Sequence, residues 1–183
     1  MATIVLLGPW ALTSLAYPPG CQPFAGETPP QMPMEMCVED QRPIEAPGAA
    51  NRLIFHTTAT NSPAIVIECH VDPDQLLLSI RKPDGAPILA PSPIADHNIL
   101  VYVDAPYFGD LNADGIADYF IPVSMGGCGL AAAYDNAVVV LSCSGGYMVN
   151  IMPTMGADPE DFVDIDRDGI AEIVQTSLAH PED

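Results

Sequence analysis

The stretch "GDLNADGIADYFIPV" (residues 109–123) places acidic or amide side chains at alternate positions and then passes into an apolar run; "VDIDRDGIAEIVQTS" (residues 163–177) repeats the pattern. A tight loop can aim alternate side chains at one point while a glycine allows the sharp turn. In the first copy Asp110, Asn112 and Asp114 take positions one, three and five, and Gly115 follows. Ile116 offers its backbone carbonyl at seven, and Asp118 stands at nine. The second copy repeats this with Asp164, Asp166, Asp168, Gly169, the Ile170 carbonyl and Glu172. Every donor is an oxygen, and calcium takes roughly six to eight of them. The expectation is two Ca2+ sites, at 110–118 and 164–172. The competing reading is a pair of Asp-Gly turns whose carboxylates cap backbone amides without metal.

An EF-hand needs a bidentate Glu at the twelfth position and flanking helices. That position holds Ile121 in one loop and Gln175 in the other, and both loops run into β-rich sequence. Neither is an EF-hand, and dockerin modules are disfavoured by the same departure.

The two segments "YFGDLNADGIADYFIPVS" and "DFVDIDRDGIAEIVQTSL" resemble the FG-GAP or VCBS-type repeat, whose calcium loop D-x-[DN]-x-D-G-x-x-[DE] lies between two strands. The aromatics before each loop (Phe108, Phe162) and the apolar pairs after it (Tyr119-Phe120, Ile173-Val174) match as well. The resemblance covers residues 98–178. It implies blades of the kind found in β-propellers such as integrin α-chains. Two copies do not close a propeller of four or more blades, so a small sandwich or an incomplete propeller-like β-domain is expected. A larger assembly completed by several chains is the alternative.

Outward from the loops, the texture is that of strands. "RLIFHTT", "AIVIECHV", "QLLLSIRK", "NILVYVDA", "ADYFIPVS", "AVVVLSC", "YMVNIMP" and "EIVQTSL" are apolar runs rich in β-branched residues, with turns at "RKPDGAPI" and "CSGGY". "GLAAAYDNA" (residues 129–137) is ambiguous. With 20 prolines and 14 glycines and no long helical period, the fold class is all-β. Residues 17–50 are Pro-rich and aperiodic, an extended arm before a β-domain at 51–183.

Residues 1–16 have the form of an export leader: an apolar run from Ile4 ends in Ser14-Leu15-Ala16, small residues of the kind a signal peptidase reads. A buried N-terminal strand is the alternative. Five cysteines (Cys21, Cys37, Cys69, Cys128, Cys143) without a C-x-x-C pair fit an oxidising compartment, and Cys128–Cys143 is the favoured disulfide. Five Lys and Arg against 24 Asp and Glu give a formal charge of −19, which repels nucleic acid and anionic lipid and attracts divalent cations. No segment is long enough to span a membrane.

Catalytic signatures are lacking. His56, His70, His97 and His180 form no known pattern, and Ser142 and Ser144 read as a turn. Glu68, His70 and Asp72 would share one face of a strand beside Cys69, which suits either a transition metal or a plain polar face. The expected function is a secreted or surface, non-enzymatic calcium-binding domain. The ions would stabilise the fold and a surface that meets a protein or glycan. The alternatives are a subunit of an extracellular filament, self-associating through the arm, and a secreted hydrolase with a site built from distant loops.

Overall fold

The computed structural model describes residues 2–6, 14–16, 29–39, 51–58, 63–71, 74–96, 102–124, 135–154 and 156–176. These form an all-β structure with no α-helix and no closed barrel, as the sequence implied. The strands are β1 (Ala2–Leu6), β2 (Ser14–Ala16), β3 (Glu35–Met36), β4 (Val38–Glu39), β5 (Asn51–His56), β6 (Ala64–Val71), β7 (Asp74–Arg81) and β8 (Pro87–Asp96). They continue as β9 (Tyr102–Val103), β10 (Tyr107–Gly109), β11 (Asp118–Ser124), β12 (Asp135–Cys143), β13 (Gly146–Thr154), β14 (Phe162–Val163) and β15 (Glu172–Thr176).

Three sheets result, with orders β4-β5-β6-β7-β8, then β3-β10-β11-β12-β13 with β9 also on β11, then β14-β15-β1-β2. All the pairings are antiparallel. Tight hairpins set the registers. Gly85 (φ 86°) turns β7 into β8, and Gly145 (φ 100°) turns β12 into β13, where Cys143 faces Gly146. β8 carries Pro87, Pro91 and Pro93, which cannot donate to a ladder, so it can only be an edge strand.

The central strands β11 and β12 of the middle sheet are buried on both faces, and strand periodicity divides their residues between two cores. Tyr119, Ile121, Val123, Val138 and Val140 pack with Phe55, Ile65, Ile67, Leu78 and Ile80 of the first sheet. Phe120, Ala137, Val139 and Leu141 face the other way, onto Phe162, Ala171 and Ile173. The register agrees: Tyr119 lies opposite Val140, and Phe120 opposite Val139. Phe120 and Phe162 meet with centroids 4.9 Å apart at 53°, a tilted pair that adds to their burial. A strand hidden on both sides has no polar alternation, which is why "DYFIPV" reads as a continuous run.

The described part of the arm is built into the fold. Residues 30–39 run as a strap along one edge of each sheet in turn. Gln31 bridges Val163 and Met32 N donates to Phe162 O (2.9 Å), both on β14, and Asp164 N, just after it, donates to Pro30 O (2.9 Å). β3 pairs with β10 and β4 with β5. Between them Cys37 N donates to Pro106 O at 2.7 Å, and the Cys37 side chain enters the first core. Burial pushes its thiol up to about 12, so it is protonated and inert. The strap satisfies backbone edges that would otherwise invite a foreign strand.

Other expectations fare unevenly. Cys143, expected to pair with Cys128, carries a free thiol at the exposed corner of β12, and Cys128 lies outside the described residues. Cys21, residues 17–28 and 40–50 of the arm, and 129–134 of the ambiguous segment also lie outside them. Ala2–Leu6 pairs antiparallel with Glu172–Thr176. Among the described residues no helix is long and apolar enough to cross a membrane.

Candidate cation-binding loops

Both acidic loops join two strands, β10 to β11 and β14 to β15, and fold alike. Position four is left-handed in each, Ala113 at φ 60° and Arg167 at φ 64°, and Gly115 and Gly169 follow at 80° and 88°. Side chains cap the turns. Asp110 accepts from the N–H of Asp114 (3.1 Å) and Gly115 (2.9 Å), and Asp164 accepts from Gly169 (3.1 Å). At position seven, Ile116 and Ile170 each donate their N–H at 2.8 Å, to Asp114 and Asp168 respectively.

The ninth position is the structural clamp. Asp118 and Glu172 are both buried, and each accepts the N–H of position two at 2.7 Å, from Leu111 and Ile165. The loops also touch each other. Ala171 N donates to Leu111 O at 2.8 Å, and a Cβ on Gly169 would lie 3.5 Å from Ala113 Cβ.

Ser142, which the sequence read as part of a turn, is the residue that makes the loops differ. It lies near the end of β12, where its N–H reaches Asp118 Oδ1 and its hydroxyl donates to Asp114 Oδ2 at 2.6 Å. Asn112 Nδ2 donates to Ser142 O at 2.9 Å. Nothing in the spacing of "SCSGG" signals this, since the contact spans separate strands. In the first loop Asp114 is thus drawn aside to the hairpin. In the second loop, Asp164, Asp166 and Glu172 converge, with one carboxylate oxygen of each within 4.8 Å of the others. That cluster can hold a metal ion. Asp168 is outside it, and Asp110, Asp114 and Asp118 form no comparable group among the described residues.

The electrostatics follow the burial. Desolvation, with smaller repulsion from Asp166, Asp168 and Asp164, pushes the Glu172 carboxyl above the ordinary carboxylate range. Asp118 is raised for the same leading reason, against the pull of its N–H donors. Asp114 is lowered, chiefly by the Ser142 hydroxyl. A carboxyl raised in the fold binds its proton more tightly folded than unfolded, so it favours the fold at low pH and that contribution is lost as pH rises through the raised value. In chelator, the melting temperature should therefore climb as pH falls from neutrality toward the ordinary carboxylate range. Asp114 acts only below that range. Thermal melts of Asp118→Asn/Glu172→Gln over the same pH series should be flatter, and an equal slope would refute the assignment.

Among the described residues the other candidates form no metal-ligand cluster. Glu68 forms an ion pair with Arg52 (3.1 Å) and lies 3.9 Å from Arg81. The side chains of Cys69 and His70, and Asp72, His97 and His180 altogether, lie outside the described residues. His56 sits on β5, opposite Val38 of the strap. Comparison with protein-family models, with curated proteins and with solved structures finds no match.

Proposed function

We propose that this chain is a non-enzymatic calcium-binding β-domain of an exported or cell-surface protein, in which ions at 164–172 and 110–118 fix the fold and the surface around it. The observation that carries this reading is the Asp164, Asp166 and Glu172 cluster. Within it Asp164 Oδ1 is shielded from solvent and has no hydrogen-bond partner. Three carboxylates this close repel one another, and a cation relieves both the repulsion and the unsatisfied oxygen. An all-oxygen set without His or Cys selects a hard cation over zinc. The first loop would take a second, weaker ion once Asp114 exchanges its Ser142 hydrogen bond for the metal. Export rests on the leader-like residues 1–16; the N-terminal mass of the secreted chain tests it against the pairing of Ala2–Leu6 with β15. A filament joined through residues 30–39 is disfavoured, because those residues pair with the chain's own sheets.

Melting in millimolar calcium, in magnesium and in chelator is the test. Calcium at a hundred times its dissociation constant stabilises by about 2.7 kcal/mol per site, or about 5–11 °C for a chain of this size. Asp166→Ala should abolish most of the shift and Asp114→Ala a smaller part. An unchanged melt with no calcium by elemental analysis would overturn the reading.

A further inference from the structure

A cavity of about 470 Å³ opens at the far end of the middle sheet, where β11 and β12 are most distant from the acidic loops. Its walls include Met36 of the strap, Tyr107 of β10, and Pro122 and Val123 of β11. Met36 is 57 % exposed, so the chain leaves this apolar side chain uncovered. The exposed residues Asp104 and Asp158 also line the cavity, and among the described residues no Lys, Arg or His does. A hollow walled in part by apolar side chains, with two carboxylates and no countercharge among the described residues, suits a ligand with an aliphatic stem and a cationic tip.

We propose that this cavity receives an arginine or lysine side chain on an extended segment of a partner protein. The stem would lie along Met36, Tyr107 and Pro122, with its charge between Asp104 and Asp158. The partner is a different protein, because this chain has only five Lys and Arg against 24 Asp and Glu and repels its own copies. The same field speeds the approach of a basic segment and weakens with salt. Nothing in the proposal depends on whether the loops hold calcium.

The test is an NMR titration of the full chain, methyl-labelled at methionine, with the peptide acetyl-Gly-Arg-Gly-amide and with its neutral citrulline counterpart. The arginine peptide should shift the Met36 methyl signal saturably, and citrulline should bind about five- to tenfold more weakly, as expected for two partly exposed ion pairs. Asp104→Asn/Asp158→Asn, both surface changes, should reduce the arginine peptide to the citrulline level. Asp166→Asn, in the acidic loop, should leave binding unchanged. Equal binding of citrulline, or an unaffected double variant, would overturn the proposal. So would a Met36 signal that stays in place while other methyls move, since that would locate basic peptides elsewhere on the acidic surface.

Discussion

Asp118→Ala should lower the unfolding free energy by about 2–6 kcal/mol, because it strands two backbone donors at once. The carboxylate is fully buried and accepts the N–H of Leu111 with one oxygen and that of Ser142 with the other. Each buried donor left without a partner costs about 1–3 kcal/mol. Relief of the desolvated charge offsets part of this, which places the expected loss toward the lower end of that range. Asp118→Asn retains one acceptor but turns an amide N–H₂ toward the other donor, so it should recover only part of the loss. Ser142→Ala removes the hydroxyl and spares the N–H, and should cost less than either. Urea unfolding followed by circular dichroism measures all three. A loss under about 1 kcal/mol for Asp118→Ala would mean that water reaches both amides, and the clamp assigned to the ninth position would fall.

Replacing residues 31–39 with a Gly/Ser segment of equal length should remove about 5 kcal/mol or more, comparable with the whole stability of an ordinary domain. The replacement removes the ladder pairs to β10 and β5 and the buried Cys37 side chain, and leaves three strand edges bare. The product should associate in solution, since uncovered edges recruit strands. Gly109→Ala probes the same strap by one atom. Its new Cβ would lie 2.6 Å from Pro33 O, a backbone atom that cannot swing aside, so the strap must move. Thiol labelling mapped by mass spectrometry reads that movement. Cys37, buried and protonated, should label slowly in the native chain and at least about tenfold faster in Gly109→Ala, while exposed Cys143 labels rapidly in both. Equal protection of Cys37 in both proteins would show that the strap tolerates the clash.

Much of this architecture was legible because apolar runs and turn chemistry agree locally. "AIVIECHV" is β6 and "ADYFIPVS" contains β11, residue for residue. β8 was missed for a physical reason: Pro87, Pro91 and Pro93 argue against a strand unless it sits at an edge, and edge position is a property of the assembled sheet. β3 and β4 were missed because two-residue strands carry no period. Of the site, the glycine turns and the acids at the ninth positions were visible in spacing, but as metal oxygens; that Asp118 and Glu172 accept the amides of Leu111 and Ile165 was not. The contrast between the loops was not, since it depends on Ser142, which reaches Asp114 from another strand. The bridge expected between Cys128 and Cys143 followed from sequence proximity alone, which does not fix where a thiol points.

The strap also dictates an order of events. A ribosome releases Gln31 long before Val163, the residue it bridges, and Glu35 long before its partner Phe108. Contacts between such distant parts of a chain close slowly. The first sheet can form its own hairpins early, but the strap has its last partner only when β14 emerges. Until then residues 30–32 lack their partner strand, so the growing chain passes through a stage that a holding chaperone would recognise and a mature molecule would not.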